Sequence, residues 1–163
     1  MSVQGRVNSD LGQVEIPTPN HIGAFGRRIF RLCRAVELSS VDASRVAALV
    51  SKAMRLCFDS GEPSTVKVSL STAEHQCRLE FRIPYVSSIG TVLGQSNYFD
   101  RVEVLRHERG HTEQLVAKRI PFSTSQAARS VERLRRIIGE KSREVLLSEL
   151  SAKNLQLEEH RQT

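Results

Sequence analysis

The sequence predicts an α+β domain that is followed by a long C-terminal helix. Two amphipathic helical patterns stand in succession near the start of the 163-residue chain, and four runs of alternating apolar and polar residues follow them. The apolar content of 39% is enough for the core of one ordinary domain. We therefore expect a disordered N-terminus at residues 1–11, a folded domain at 12–121 and a C-terminal helix at 124–163.

The first predicted elements are a short strand and two helices. Residues 13–16 alternate in polarity, and Pro17 ends that strand. A helix follows, because apolar residues recur at intervals of three and four. Its apolar row is Ile22, Phe25, Ile29, Leu32, Cys33 and Val36. Ser39 or Ser40 caps the second helix. The predicted inward face of that helix is Val46, Val50, Ala53 or Met54, and Cys57.

Four strands in two hairpins complete the predicted domain. In the first hairpin, residues 66–70 and 77–83 alternate in polarity on either side of a polar turn. A loop that contains Gly90 and Gly94 follows, and we expect a short helix within it. The second hairpin covers residues 102–120. The predicted sheet therefore has at least four strands.

The motif HERGH at residues 107–111 has the His-Glu-x-x-His spacing of zinc hydrolases. That chemistry requires a helix, which directs two histidines at one metal while the glutamate polarises a bound water. Here β-rich runs bracket a turn that contains Gly110, and glycine lowers helix propensity by about 1 kcal/mol. We therefore expect a hairpin with a solvated turn and no metal. A zinc hydrolase is the alternative. It predicts bound zinc that is lost when His107 or His111 is changed to Ala.

The C-terminal segment repeats apolar residues with coiled-coil spacing. Before Gly139 the row is Val131, Leu134 and Ile138, and Val145 continues it. After a phase shift near Gly139 the row is Leu147, Leu150, Asn154 and Leu157. An asparagine at such a position specifies the register of a two-stranded pairing. We predict a homodimer through this helix. The alternative is a helix folded back on the domain's own sheet, which applies best before Gly139.

The charge and composition of the chain indicate which classes of binding partner and which cellular compartment are expected. The net charge is +6, but the basic residues are spread along the chain and tryptophan is absent, which argues against a nucleic-acid partner. The N-terminus lacks the apolar core of a secretory signal. The sequence has no run of about 20 apolar residues, which is the length that a membrane span requires. The expected location is therefore the cytoplasm. Cys33, Cys57 and Cys77 stand apart beside apolar residues and are interpreted as buried, reduced thiols.

Two segments of the chain resemble bacterial anti-sigma-factor and switch-protein serine kinases. Residues 23–61, GAFGRRIFRLCRAVELSSVDASRVAALVSKAMRLCFDSG, resemble the first two helices of that family. Residues 93–121, LGQSNYFDRVEVLRHERGHTEQLVAKRIP, resemble its closing segment. The resemblance covers roughly residues 12–121. It implies the Bergerat fold of GHKL (histidine kinase-like) ATPases, a two-layer α/β sandwich with a mixed, mainly antiparallel sheet and helices on one face.

The resemblance also shows where the family's nucleotide chemistry is missing. In the family a Ser-Glu-Leu-x-x-Asn box supplies a general base and a Mg²⁺ ligand. Here Ser51 is retained, but Lys52 stands for the Glu and Leu56 for the Asn, so the base and the oxygen ligand are both absent. The family's Asp-x-Gly-x-Gly should follow the strand that ends at Ile83, where this chain has neither Asp nor Gly. Arg82 and Pro84 lie at this place in the sequence. Together with Ser51, Lys52 and Leu56 they are the positions at which the resemblance implies a vestigial nucleotide pocket. Gly90 and Gly94 are a weak remnant of a phosphate loop.

The resemblance therefore implies a pseudokinase, a non-catalytic regulatory domain of bacterial signal transduction that binds a protein partner. Neither ATP nor Mg²⁺ is expected as a cofactor, because metal, base and phosphate loop are lost together. The partner is expected to be a signalling regulator, or an output domain fused after the C-terminal helix. An active ATP-dependent kinase is the alternative and predicts Mg²⁺-dependent nucleotide binding. Nucleic-acid binding, a further alternative, predicts an affinity that falls steeply with salt.

Overall fold

The computed structural model describes residues 7–61, 64–89, 93, 98–139 and 143–161. The elements are β1 (Val7–Glu15), a 3₁₀ turn (Pro19–His21), α1 (Ile22–Ala35), α2 (Ser40–Asp59), β2 (Thr65–Ala73), β3 (Gln76–Pro84), β4 (Arg101–Arg106), β5 (Thr112–Ile120), α3 (Thr124–Gly139) and α4 (Arg143–Arg161). This order confirms the α+β class and the predicted sequence of strand, two helices and two hairpins. Gly90 and Gly94, in the loop between the hairpins, lie outside the described residues.

The five described strands form one sheet in the order β1-β2-β3-β5-β4. Every described pair is antiparallel, so the mixed sheet expected from the resemblance is wrong for this part of the chain. The connections explain three of the four antiparallel pairs. Two hairpins necessarily give antiparallel pairs, and the helices α1 and α2 carry the chain away from the end of β1 and back, so β2 returns beside β1 in the opposite direction.

The first strand begins at Val7, six residues before the predicted strand. Residues 7–11, expected to be disordered, instead belong to β1, which pairs with β2 from Val7 opposite Thr72 onwards. The register shifts between Asp10 and Gly12, where the Asp10 carboxylate accepts a hydrogen bond of 2.9 Å from the Gly12 amide. The bulge and the polar residues around it interrupt the alternation of apolar and polar residues, so this part of the strand could not be predicted from that pattern.

The helices α1 and α2 pack on one face of the sheet, and their apolar rows are buried as predicted. Ser39 is the N-cap of α2, because its side chain accepts a hydrogen bond of 3.1 Å from the Asp42 amide. Cys33, Cys57 and Cys77 form no disulfide bond and are buried in the core, which confirms their interpretation as buried, reduced thiols.

The third helix, α3, also belongs to the core of the domain. A capping box begins it, in which Ser123 Oγ accepts from the Gln126 amide at 3.1 Å and Gln126 Oε1 accepts from the Ser123 amide at 2.9 Å. Leu134 and Ile138 are buried and Val131 is half-buried against the core. Their assignment to a dimer seam is therefore wrong. The same three- and four-residue spacing suits an amphipathic helix that lies on its own sheet.

Three arginines hold α3 against β1 and α1 through backbone carbonyl groups. The Arg135 guanidinium donates to the Asp10 carbonyl on β1 at 2.9 Å. The Arg133 guanidinium donates to the Ala35 carbonyl at the end of α1 at 3.1 Å, and Arg28 of α1 donates to the Ile138 carbonyl at 3.4 Å. These contacts fix where α3 lies on the domain.

The helix α3 lies close to the sheet at Gly12. Gly12 has φ +118°, and a Cβ there would lie 3.3 Å from Ile138 Cγ2. We expect Gly12→Ala to lower the free energy of unfolding by about 1–3 kcal/mol, from backbone strain plus displacement of α3. Urea denaturation measures it. The matched control is Gly61→Ala, because Gly61 has φ +75° but open space around it. A loss at Gly12 no larger than that at Gly61 would contradict this docking of α3.

Candidate functional site

The sheet separates Arg82, one of the positions expected to line a vestigial nucleotide pocket, from the positions on α2. Lys52 is exposed on α2, whereas Ser51 faces α1, since a Cβ on Gly26 would lie 3.0 Å from Ser51 Oγ. Arg82 lies in register with Lys67 on the face of the sheet away from α2. The structure therefore does not bring Arg82 together with the positions on α2.

The other two expected pocket positions pack within the domain. Leu56 is half-buried and packs against the core from α2. Pro84 ends β3, and its carbonyl oxygen lies 3.6 Å from the thiol sulfur of Cys57. Both positions therefore hold the C-terminal end of α2 against the sheet, and neither side chain can bind a Mg²⁺ ion or accept a proton.

The C-terminal helix α4 presents an apolar row to solvent. Leu147, Leu150 and Leu157 are 53%, 56% and 58% exposed, and Asn154 lies exposed in the same row. No described helix of the chain has the length and apolar character needed to cross a membrane. The later part of the predicted seam is thus on an exposed face, whereas the earlier part, the apolar row of α3, packs into the domain.

The hairpin of β4 and β5 brings three candidate metal ligands together. The His107 amide donates to the His111 carbonyl at 3.0 Å, so these residues face each other across the turn, which confirms the predicted hairpin. Their imidazole rings stack with centroids 4.3 Å apart and planes at 17°. His111 directly precedes β5 and Glu113 is the second residue of that strand, so the two residues are two positions apart along extended chain and share a face. His107 Nε2 donates to Glu113 Oε1 at 2.8 Å.

The Glu113 carboxylate is the buried member of this group. It is 8% exposed, and its second oxygen lies 3.4 Å from Lys67 Nζ. Burial alone would raise the pKa of Glu113, but the hydrogen bond from His107 and the charge of Lys67 outweigh that effect and hold the pKa below its ordinary value. The ionised carboxylate is therefore the favoured form. Beside it lies a cavity of about 520 Å³. Its lining includes Tyr85, Gly110 and His111.

A second polar cluster lies at the opposite end of β5. Tyr98 donates to the Asp42 carboxylate at 2.8 Å, and Lys118 Nζ lies 3.9 Å from the centre of the Tyr98 ring. The hydrogen bond from Tyr98 lowers the pKa of Asp42, while burial and Asp42 raise that of Tyr98. The cluster ties the N-terminus of α2 to β5. Asp42 and Lys118 also line a cavity of about 620 Å³.

The sequence reasoning missed both clusters as groups, because their members lie on different elements. One signal was available for the first cluster. In a hairpin with Gly110 in its turn, His107 and His111 must face each other, and alternation along β5 adds Glu113 to that face.

Comparison with known proteins gives no family assignment. A scan against protein-family models finds no match. A search of curated proteins finds no match either.

Proposed function

We propose that this protein is a non-catalytic regulatory interaction domain of GHKL type that pairs with a second copy of itself through α4. The observation that carries the proposal is the exposed row Leu147, Leu150 and Leu157. Fully burying a leucine side chain contributes about 1.5–3 kcal/mol. Pairing two such rows removes six leucine side chains from water, which supplies a driving force for association.

The spacing of the row supports a second copy of the chain as the partner. Leu147, Leu150, Asn154 and Leu157 follow the 3-4-3 intervals of a coiled-coil seam. In a parallel two-fold pairing each residue meets its own copy, so two Asn154 amides can hydrogen-bond across the seam while the leucines pack on leucines. Another register would place Asn154 against a leucine and leave its amide unsatisfied.

The GHKL assignment within this proposal is supported by the order of elements. One strand, two helices on one sheet face and two hairpins follow each other as in the family that residues 23–61 and 93–121 resemble. The protein partner we propose is a signalling regulator, or an output domain carried beyond α4. The proposed location is the cytoplasm, where the thiols of Cys33, Cys57 and Cys77 stay reduced.

The non-catalytic part of the proposal is supported by the chemistry at the α2 positions. Phosphoryl transfer needs a metal ligand and a residue that activates the nucleophile. Lys52 and Leu56 supply neither, and Arg82 lies across the sheet from them. A surface that binds proteins needs none of these groups, so the fold can keep a regulatory role without the reaction.

Calorimetric titration with ATP and ADP tests this part directly. We expect no heat of binding for either nucleotide up to high micromolar concentration, with or without Mg²⁺, because Lys52 and Leu56 of α2 stand where the family has its general base and its metal ligand. Binding that appears only with Mg²⁺ would contradict the proposal and favour the alternative, an active ATP-dependent kinase. In that case Lys52→Ala would show whether α2 carries the site.

A further inference from the structure

We propose that His107, His111 and Glu113 bind a divalent first-row transition-metal ion of the zinc class. One ligand atom from each of the three residues can be chosen so that all lie within 4.8 Å of one another. The hairpin produces this arrangement: the turn places the two histidines opposite each other, and the alternation of β5 puts Glu113 on their face. The site goes beyond the proposed interaction function and does not depend on it.

The donor set selects the class of metal. Two imidazole nitrogens and one carboxylate oxygen suit Zn²⁺, Co²⁺ and Ni²⁺, whereas Mg²⁺ and Ca²⁺ prefer oxygen donors alone. Three protein ligands leave at least one coordination position for water or another small ligand. The cavity of about 520 Å³ that His111 and Glu113 line has room for such a ligand.

The arrangement differs from that of the helical zinc hydrolases. There the second residue of His-Glu-x-x-His is the general base on the same helix as the ligands. Here Glu108 is exposed in the hairpin turn, and Glu113, six residues after the first histidine, completes the donor set. We therefore assign a metal site to the motif and no hydrolytic reaction.

Metal binding requires only local rearrangement of side chains. The ion takes the place of the hydrogen bond between His107 Nε2 and Glu113 Oε1, which lie 2.8 Å apart. The Nε2 proton is released to solvent, and the neutral ring carries its remaining proton on Nδ1. The two stacked rings must tilt away from their 17° angle so that each presents a nitrogen lone pair to the ion. The side chain of Lys67 is 52% exposed and can turn to solvent when the ion neutralises the carboxylate.

The test uses the intact chain after treatment with a chelator. Calorimetric titration with Zn²⁺ is expected to show one ion per chain, and Co²⁺ is expected to give visible absorption bands of a nitrogen and oxygen site. Second-sphere changes typically cost 10–100-fold in metal affinity, so loss of a direct ligand in His107→Ala or His111→Ala is expected to cost about 100-fold or more.

The matched control is His75→Ala, which removes a histidine from the turn of the other hairpin and should leave the affinity unchanged. His111 is exposed, so His111→Ala tests the site without disturbing the core, and circular dichroism of each variant checks that it is folded. Glu113→Gln is a further variant and is expected to weaken binding and change the Co²⁺ spectrum. The proposal is overturned if the intact chain takes up no ion. It is equally overturned if His111→Ala binds as tightly as the unchanged protein.

Discussion

Leu134→Ala is expected to lower the free energy of unfolding of the domain by about 2–5 kcal/mol. Leu134 is fully buried where α3 packs over β1 and α1, so its truncation leaves a cavity and removes apolar contacts. A loss of this size is a large fraction of the 5–15 kcal/mol that stabilises an ordinary domain. Urea denaturation followed by circular dichroism measures it.

The control for this variant is Arg136→Ala on the exposed side of the same helix. Arg136 is exposed, so we expect a change within about 0.5 kcal/mol. If Leu134→Ala instead left the unfolding of the domain unchanged and weakened association between chains, α3 would belong to a dimer seam and its docking on the sheet would be wrong.

Leu150→Asp is expected to abolish pairing at concentrations at which the unchanged chain is a dimer. The substitution places two carboxylates, one from each copy, in the middle of an apolar seam. We expect the dissociation constant to rise by at least about 100-fold, which corresponds to about 2.7 kcal/mol. Because Leu150 is 56% exposed and lies outside the domain core, the unfolding of the domain itself should not change.

The matched control is Leu155→Asp. Leu155 is 62% exposed on the same helix but lies outside the row of Leu147, Leu150, Asn154 and Leu157. The same charge at this position should leave the dimer intact. Equal loss of pairing in both variants would show that a general apolar surface, and not a coiled-coil seam, drives association.

The helices and hairpins could be predicted because their signals are local. Periodic apolar residues fix the inward faces of α1 and α2, and the β-rich runs around Gly110 give the second hairpin. Periodicity does not identify what a helix packs against, so the row of Val131, Leu134 and Ile138 was compatible with both a second chain and the domain's own sheet. The structure selects the sheet for these three residues.

Features that depend on residues distant in sequence were harder to predict. The start of β1 at Val7 depends on pairing with β2, and the polar residues before its bulge give no signal of their own. The fully antiparallel sheet follows from the connections and could not be read from any one strand. The donor group of His107, His111 and Glu113 becomes visible only when the hairpin register is combined with the motif.

The most direct test of the proposed function is sedimentation analysis of the chain with and without residues 140–163. These residues contain α4, whereas the domain core, including α3, ends at Gly139. We expect the intact chain to be a dimer and the shortened chain to be a monomer. The circular dichroism spectrum of the shortened chain should show that the domain keeps its fold. A shortened chain that remains a dimer would contradict pairing through α4, and so would an intact chain that is a monomer at high micromolar concentration.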